Sequence, residues 1–359
     1  MTKPFSFGEK FRISVSGSSH GKGVGVQING CPEGVKVGEK DVKLWLGRRK
    51  PGKSALSSGR KEEDRAIVLS GIRNGRATGG KISLLVENKD AISKHYANIG
   101  LVPRPGHADY PSYVKYGKIE PGGGFFSGRM TAAFVMAGAV AKKLLLARKI
   151  RTMAYARQIG KVKADREISE REILENTYAN TVHTAAKELA GAMARQVEMA
   201  RDSGDSVGGI VECRITGVPA GTGEPMFSSI ESGIARAVFA IPGAKGIEFG
   251  SGFAGSSLLG SQNNDAFLVK GGRVATRTNN SGGILGGLAT GMPIAFRVAF
   301  KPTSSIFKVQ QSVNLGTMKP EKLRIAGRHD SCIAIRAVPV VECIAAIAIA
   351  DIILRADKR

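Results

Sequence analysis

The sequence predicts an α+β fold in which apolar helices lie enclosed by sheets. Three observations carry that prediction. Strand-like runs recur at 11–15, 81–86, 210–215 and 294–300, and several alternate apolar with polar residues at period two, as a strand with one buried face does. Segments 131–147 and 338–354 are rich in Ala, Leu, Ile and Met and almost wholly apolar, and a helix that is apolar all round must be buried. Glycine supplies 47 residues and gathers at 21–25, 122–124, 221–223 and 282–287, each reading as a turn or a close backbone approach.

In chain order, strand 11–15 runs into Ser16-Gly17-Ser18-Ser19-His20-Gly21, and strand 81–86 precedes the basic loop that holds His107. Helix 131–147 follows the triple glycine. A third helix is expected at 185–201, after a charged, irregular stretch at 161–175 that reads as a surface excursion. Strands 210–215 and 294–300 flank the last glycine cluster, and helix 338–354 closes the chain. No repeat and no Pro/Ser-rich linker interrupts this order, so residues 1–359 are read as a single domain.

Composition narrows the function. Lys and Arg number 53 against 30 Asp and Glu, a formal net charge of +23 with a pI near 10.1, while 42% hydrophobic residues exclude a disordered chain. Such charge suits either nucleic acid or a polyanionic small molecule. The basic residues are scattered and there is one tryptophan for base stacking, so nucleic acid is disfavoured as the main partner. No stretch approaches the roughly 18 apolar residues of a membrane span, the most apolar run, 343–350, stopping at Asp351, which predicts no membrane insertion. The start has no continuous apolar segment of a secretory signal, which predicts a cytoplasmic protein with no membrane association. Cys31, Cys213, Cys332 and Cys343 form no C-x-x-C pair, so neither a metal site nor a disulfide framework is expected.

Residues 47–54 fit G-x-x-x-x-G-K-[ST], the loop that cradles nucleotide phosphates, through Gly47, Gly52, Lys53 and Ser54. The flanks argue against it, since residues 40–46 are polar and mixed and Lys53-Ser54 leads into a poor helix start; the segment reads as a basic turn. Of five histidines, His20, His107 and His329 sit on loops beside glycine, where proton transfer near neutral pH is well served. His95 and His183 read as ordinary surface residues. Lys301-Pro302-Thr303-Ser304-Ser305 follows a strand and offers a cation and three hydroxyls, which suits a phosphate.

Arg104-Pro105-Gly106-His107-Ala108-Asp109 with Lys115-Tyr116-Gly117, then Gly122-Gly123-Gly124, Ser127-Gly128-Arg129 and Thr131, form an ordered series of motifs. It continues through Gly204-Asp205-Ser206-Val207-Gly208-Gly209, Gly223-Glu224-Pro225, the run 280–287, the run 301–306, and Gly327-Arg328-His329-Asp330 to Glu342. This series resembles the chorismate synthase family nearly end to end. The resemblance implies helices sandwiched between two antiparallel sheets, usually in a homotetramer. It implies an anti-1,4-elimination of phosphate from 5-enolpyruvylshikimate 3-phosphate to give chorismate, a lyase step of the shikimate pathway that requires reduced FMN. The flavin reductant, NADPH or an external one, is not indicated, because no dinucleotide fingerprint is present.

By the same resemblance His20 serves the leaving phosphate, His107 is a general acid toward the reduced flavin, and Asp330 assists the flavin N5 in accepting the ring proton. Arg49 and Arg129 grip substrate oxyanions. Ser127, Gly286, Lys301, Pro302, Thr303, Ser304, Ser305 and Arg328 hold FMN. This chain departs from the family pattern at Ser18, where Glu is usual, and at Pro121 and Phe125, where arginines are common. Two readings compete with the resemblance: a P-loop-type phosphohydrolase and a degenerate basic relative that binds nucleic acid.

Overall fold

A computed structural model describes residues 4–50, 64–89, 100–325, 327 and 329–357. Among them two five-stranded antiparallel sheets enclose a layer of helices. The first sheet runs Ser6–Phe7, Arg12–Gly17, Gly23–Asn29, Ile82–Glu87, Ala66–Ser70; the second runs Ala244–Phe249, Ile294–Phe300, Gly209–Thr216, Arg151–Ile159, Val162–Lys163. The helix Thr131–Ala147 lies on the first sheet and Ile333–Ala356 on the second, and these two helices pack against each other. One apolar cluster joins both sheets and both helices. Each fully buried Ile or Val in it contributes roughly 1.5–3 kcal/mol relative to exposure.

Three sequence expectations change, and one resolves into its second alternative. Residues 21–25 hold a close backbone approach, because Gly23 and Gly25 belong to the central strand Gly23–Asn29. A Cβ at Gly23 would stand 2.6 Å from the Val86 carbonyl oxygen of the neighbouring strand, so that close pairing excludes a side chain. The charged stretch 161–175 is not a mere excursion. It contains an edge strand and the helix Glu170–Asn176, capped reciprocally by Ser169 and Glu172, and its Ala164, Ile168 and Ile173 are buried with Tyr155 on the outer face of the second sheet.

Two helices do reach the length and hydropathy of a membrane span, Gly128–Ala147 and Ile333–Ala356. The sequence reading underestimated them by treating single charges as stops. Their most apolar windows are 78% and 94% buried inside the protein, so that apolar surface is already covered by the sheets. Asp351, which interrupts the apolar run, is buried and accepts hydrogen bonds from the backbone N–H groups of Glu9, Lys10 and Phe11 at 2.7–3.0 Å. It ties the start of the chain to the last helix.

His183 is not an ordinary surface residue. Pro339 lies inside Ile333–Ala356 and lacks the N–H that would meet the Ile335 carbonyl four residues earlier. His183 Nδ1 lies 3.0 Å from that carbonyl oxygen and donates to it in place of the missing amide, while its ring packs on Tyr178. His95 and Arg328 lie outside the described residues, as do Gly52, Lys53 and Ser54. Pro51 lies outside them too, but the start of the phosphate-loop-like segment is described: Gly47, Arg48 and Arg49 form the last turn of the helix Glu39–Arg49. The first glycine of a phosphate loop follows a strand instead of sitting in a helix.

Candidate active site

Backbone segments from distant parts of the chain wall a cavity of about 640 Å3, and three groups of residues stand out among them. The first is the triple glycine, held left-handed at φ 61°, 84° and 53° for Gly122, Gly123 and Gly124. Only glycine combines that conformation with the space available, for a Cβ on Gly122 would lie 2.5 Å from His20 Nε2 and one on Gly123 3.0 Å from His107 Cε1. The bare backbone thus lies against two imidazoles. His107 lines the cavity; His20 packs behind Gly122 and is not part of the lining.

His107 belongs to a buried ionic set that the sequence reading did not assign. Arg104 clamps Asp109 in a fork, Nε to Oδ2 at 2.7 Å and Nη2 to Oδ1 at 2.8 Å, and Asp109 Oδ1 lies 2.6 Å from His107 Nδ1. That short contact to a carboxylate assigns the proton to Nδ1, leaving Nε2, beside Gly123, as the nitrogen that titrates. Burial alone would raise the Asp109 carboxyl, but hydrogen bonds from Arg104 and His107 outweigh it and hold it well below the usual range. Burial lowers His107 from its ordinary 6.5, helped by Arg104 and Lys301 and opposed by the Asp109 hydrogen bond.

The second group is Arg49 and Arg129, carried by two separate segments. Arg49 ends its helix, and Arg129 lies in the turn Gly128–Met130, which Ser127 caps by accepting the Arg129 N–H at 3.3 Å. Both guanidiniums meet the carboxylate of Asp64, Arg49 Nη1 at 3.0 Å from Oδ2 and Arg129 Nη1 on Oδ1. The third group is 301–305, directly after the strand Ile294–Phe300. Lys301 donates to the Gly106 carbonyl, and burial with the nearby Lys245 charge pushes its ammonium below the usual value. Ser305 accepts from Arg104 Nη1 at 3.3 Å, joining this segment to the His107 set.

Asp330 completes the wall, its Oδ2 paired with Arg336 Nη1 at 2.5 Å, and Arg336 Nε donates to the Arg49 carbonyl at 3.1 Å. Arg336 therefore links the Asp330 loop, the last helix and the end of the Arg49 helix. Of the residues singled out from sequence, Arg49, Ser127, Arg129, His107, Lys301, Pro302, Thr303, Ser304, Ser305 and Asp330 all line the cavity. Gly286 does not; it sits on the exposed turn joining the short strands Ile284–Leu285 and Leu288–Ala289. Phe125, where an arginine is common in the resembled pattern, lines the cavity and packs edge-on against Phe5 and Tyr116.

Arg104, Asp109, Asp64 and Arg336 were given no role from sequence. Arg104 and Asp109 stood within a quoted motif, and their i, i+5 spacing around a histidine was the available signal. Asp64 and Arg336 offered none.

A family profile described as chorismate synthase matches residues 11–354. The chain belongs to the chorismate synthase family. A chorismate synthase of Thermococcus kodakarensis is 47% identical over 350 residues, 97% of each chain, and one of Korarchaeum cryptofilum is 45% identical over 98% of each. A crystal structure of chorismate synthase superposes with a TM-score of 0.78 at 26% identity, covering 97% of this chain and 93% of that one. The two-sheet sandwich is thus the chorismate synthase fold. The activity is that of a chorismate synthase, a carbon–oxygen lyase acting on a phosphate ester in aromatic amino acid biosynthesis.

Proposed function

We propose that the cavity is where 5-enolpyruvylshikimate 3-phosphate loses phosphate and a ring hydrogen by anti-1,4-elimination, beside reduced FMN. The observation that carries this reading is the convergence of Arg49, Arg129, His107, Lys301 and Asp330 on one cavity from segments far apart in sequence. Its volume lies in the range of small-molecule and cofactor sites. A substrate with two carboxylates and a phosphate needs such cations, and Arg meets oxyanions bidentately.

For FMN, the fit rests on the 301–305 segment. Thr303 Oγ1 is buried with no hydrogen-bond partner among the described residues, beside Lys301 and the Ser304 and Ser305 hydroxyls, a donor set suited to a phosphate or a polar ring edge. Ser127 and Arg328 are proposed to add to it; Gly286 would do so only from outside this cavity. Bound reduced flavin would lend electron density transiently, which accounts for a cofactor in a reaction with no net redox change.

The chain's own groups handle protons and anions. His107, tethered at Nδ1 by Asp109, delivers a proton from Nε2 in its protonated form, which burial disfavours. Asp330, paired with Arg336, accepts one at the wall. His20 acts toward the leaving phosphate past Gly122, which has no side chain in the way. A homotetramer is also proposed, supported by apolar side chains left in solvent, such as Phe227 at 96% exposure and Phe253 at 81%. A cytoplasmic setting is supported by four buried free cysteines. Anaerobic incubation with chemically reduced FMN and the substrate should give chorismate absorbance. No product, together with no FMN binding by calorimetry with or without substrate, would refute the reading.

A further inference from the structure

We propose that Asp64 is a positioning residue that fixes the two oxyanion-binding arginines and moderates their hold on phosphate so that it can leave. The inference rests on the reading of Arg49 and Arg129 as oxyanion ligands. Asp64 spans them with its two oxygens, Oδ2 to Arg49 and Oδ1 to Arg129, and the three side chains are 1%, 1% and 2% exposed. It does so from a left-handed backbone, φ 44°, a conformation that Asp tolerates better than most non-glycine residues.

Other contacts among the described residues hold each guanidinium by itself. Arg49 is also held by Thr131 Oγ1 at 2.9 Å and the Gly128 carbonyl at 3.4 Å, and Arg129 by Asn88 Oδ1 at 2.9 Å and the Glu87 carbonyl at 3.1 Å. These neutral acceptors orient each guanidinium separately. Asp64 holds the two together, offsetting the repulsion between like charges that share one wall of the cavity. The same carboxylate repels an incoming phosphate and competes for the arginine N–H groups. Site geometry and ease of product release therefore depend on one side chain.

A counter-ion with a purely structural role predicts that its loss weakens everything, whereas this role predicts opposite changes in binding and turnover. In D64N the site gains one positive charge. Inorganic phosphate should bind about 10-fold tighter by calorimetry while kcat falls about 10-fold or more, the arginines having lost their common anchor. In D64E the charge stays but the carboxylate is longer, so phosphate affinity should remain within about threefold of wild type with kcat still reduced. Unchanged or weaker phosphate binding by D64N, in a protein whose phosphate binding Arg49→Ala abolishes, overturns the proposal and leaves the oxyanion reading standing. Phosphate binding that Arg49→Ala does not affect overturns that reading itself. If D64N does not fold, D64E decides: wild-type kcat in that variant overturns the proposal.

Discussion

The ion networks around Glu342 and around Asp64 each centre on a buried carboxylate and differ in what they face. Glu342 takes Lys142 Nζ at 2.5 Å and the Tyr178 hydroxyl at 2.7 Å, and Lys142 also donates to Thr152. Arg48 lies over the rings of Trp45 and Tyr178, 4.4 and 3.8 Å from their centroids, so this second cation is met by aromatic faces. The network clasps the two central helices and the second sheet and does not line the candidate active-site cavity. Asp64 is instead shared by two guanidiniums that wall a cavity, in line with Arg104, Lys301 and Arg336. A buried charge network that closes on itself fixes a fold, and one that opens on a cavity can exchange a partner for a ligand.

The largest effect should come from breaking the open network. Arg49→Ala is expected to lower kcat/KM by about 3 kcal/mol or more in the anaerobic chorismate assay, the scale of a buried charge left unpaired, and even Arg49→Lys should cost activity because the fork is lost. Next, His107→Ala should reduce kcat about 10²-fold, as for a positioned proton-transfer group. Burial disfavours its protonated form, so a rate that needs Nε2–H should fall as pH rises through a value below 6.5. Asp109→Asn removes the hydrogen bond and charge that favour that form, and the fall should move to lower pH. A pH profile unchanged in Asp109→Asn would count against the coupling.

The closed network should respond in the other measurement. Glu342→Gln keeps the shape but removes the charge opposite Lys142, and should cost about 2 kcal/mol of stability in denaturant titrations with kcat/KM within about twofold of wild type. Loss of activity out of proportion to stability would erase the distinction between the two networks. The smallest effect concerns the helix that both networks share. His183→Ala leaves the Ile335 carbonyl unmet and should cost about 1 kcal/mol. Pro339→Ala supplies an amide to the same carbonyl, so the double variant should recover most of that loss; a merely additive pair would show that His183 does something else.

Residue patterns alone determined the layered fold class, the apolar helix Thr131–Ala147 and two strands of each five-stranded sheet, because period and composition are local properties that burial acts on directly. The motif series also named most of the residues that line the cavity, since chemistry-bearing loops carry glycine and histidine in recognisable order. What sequence could not decide depends on partners distant in the chain. His183 looks like a surface residue until Pro339 leaves a carbonyl unmet. Asp64 sits in an acidic run with no pattern of its own. Only the tertiary structure brings it between Arg49, 15 residues before it, and Arg129, 65 residues after it, because opposite charges in a water-poor wall must meet or be neutralised.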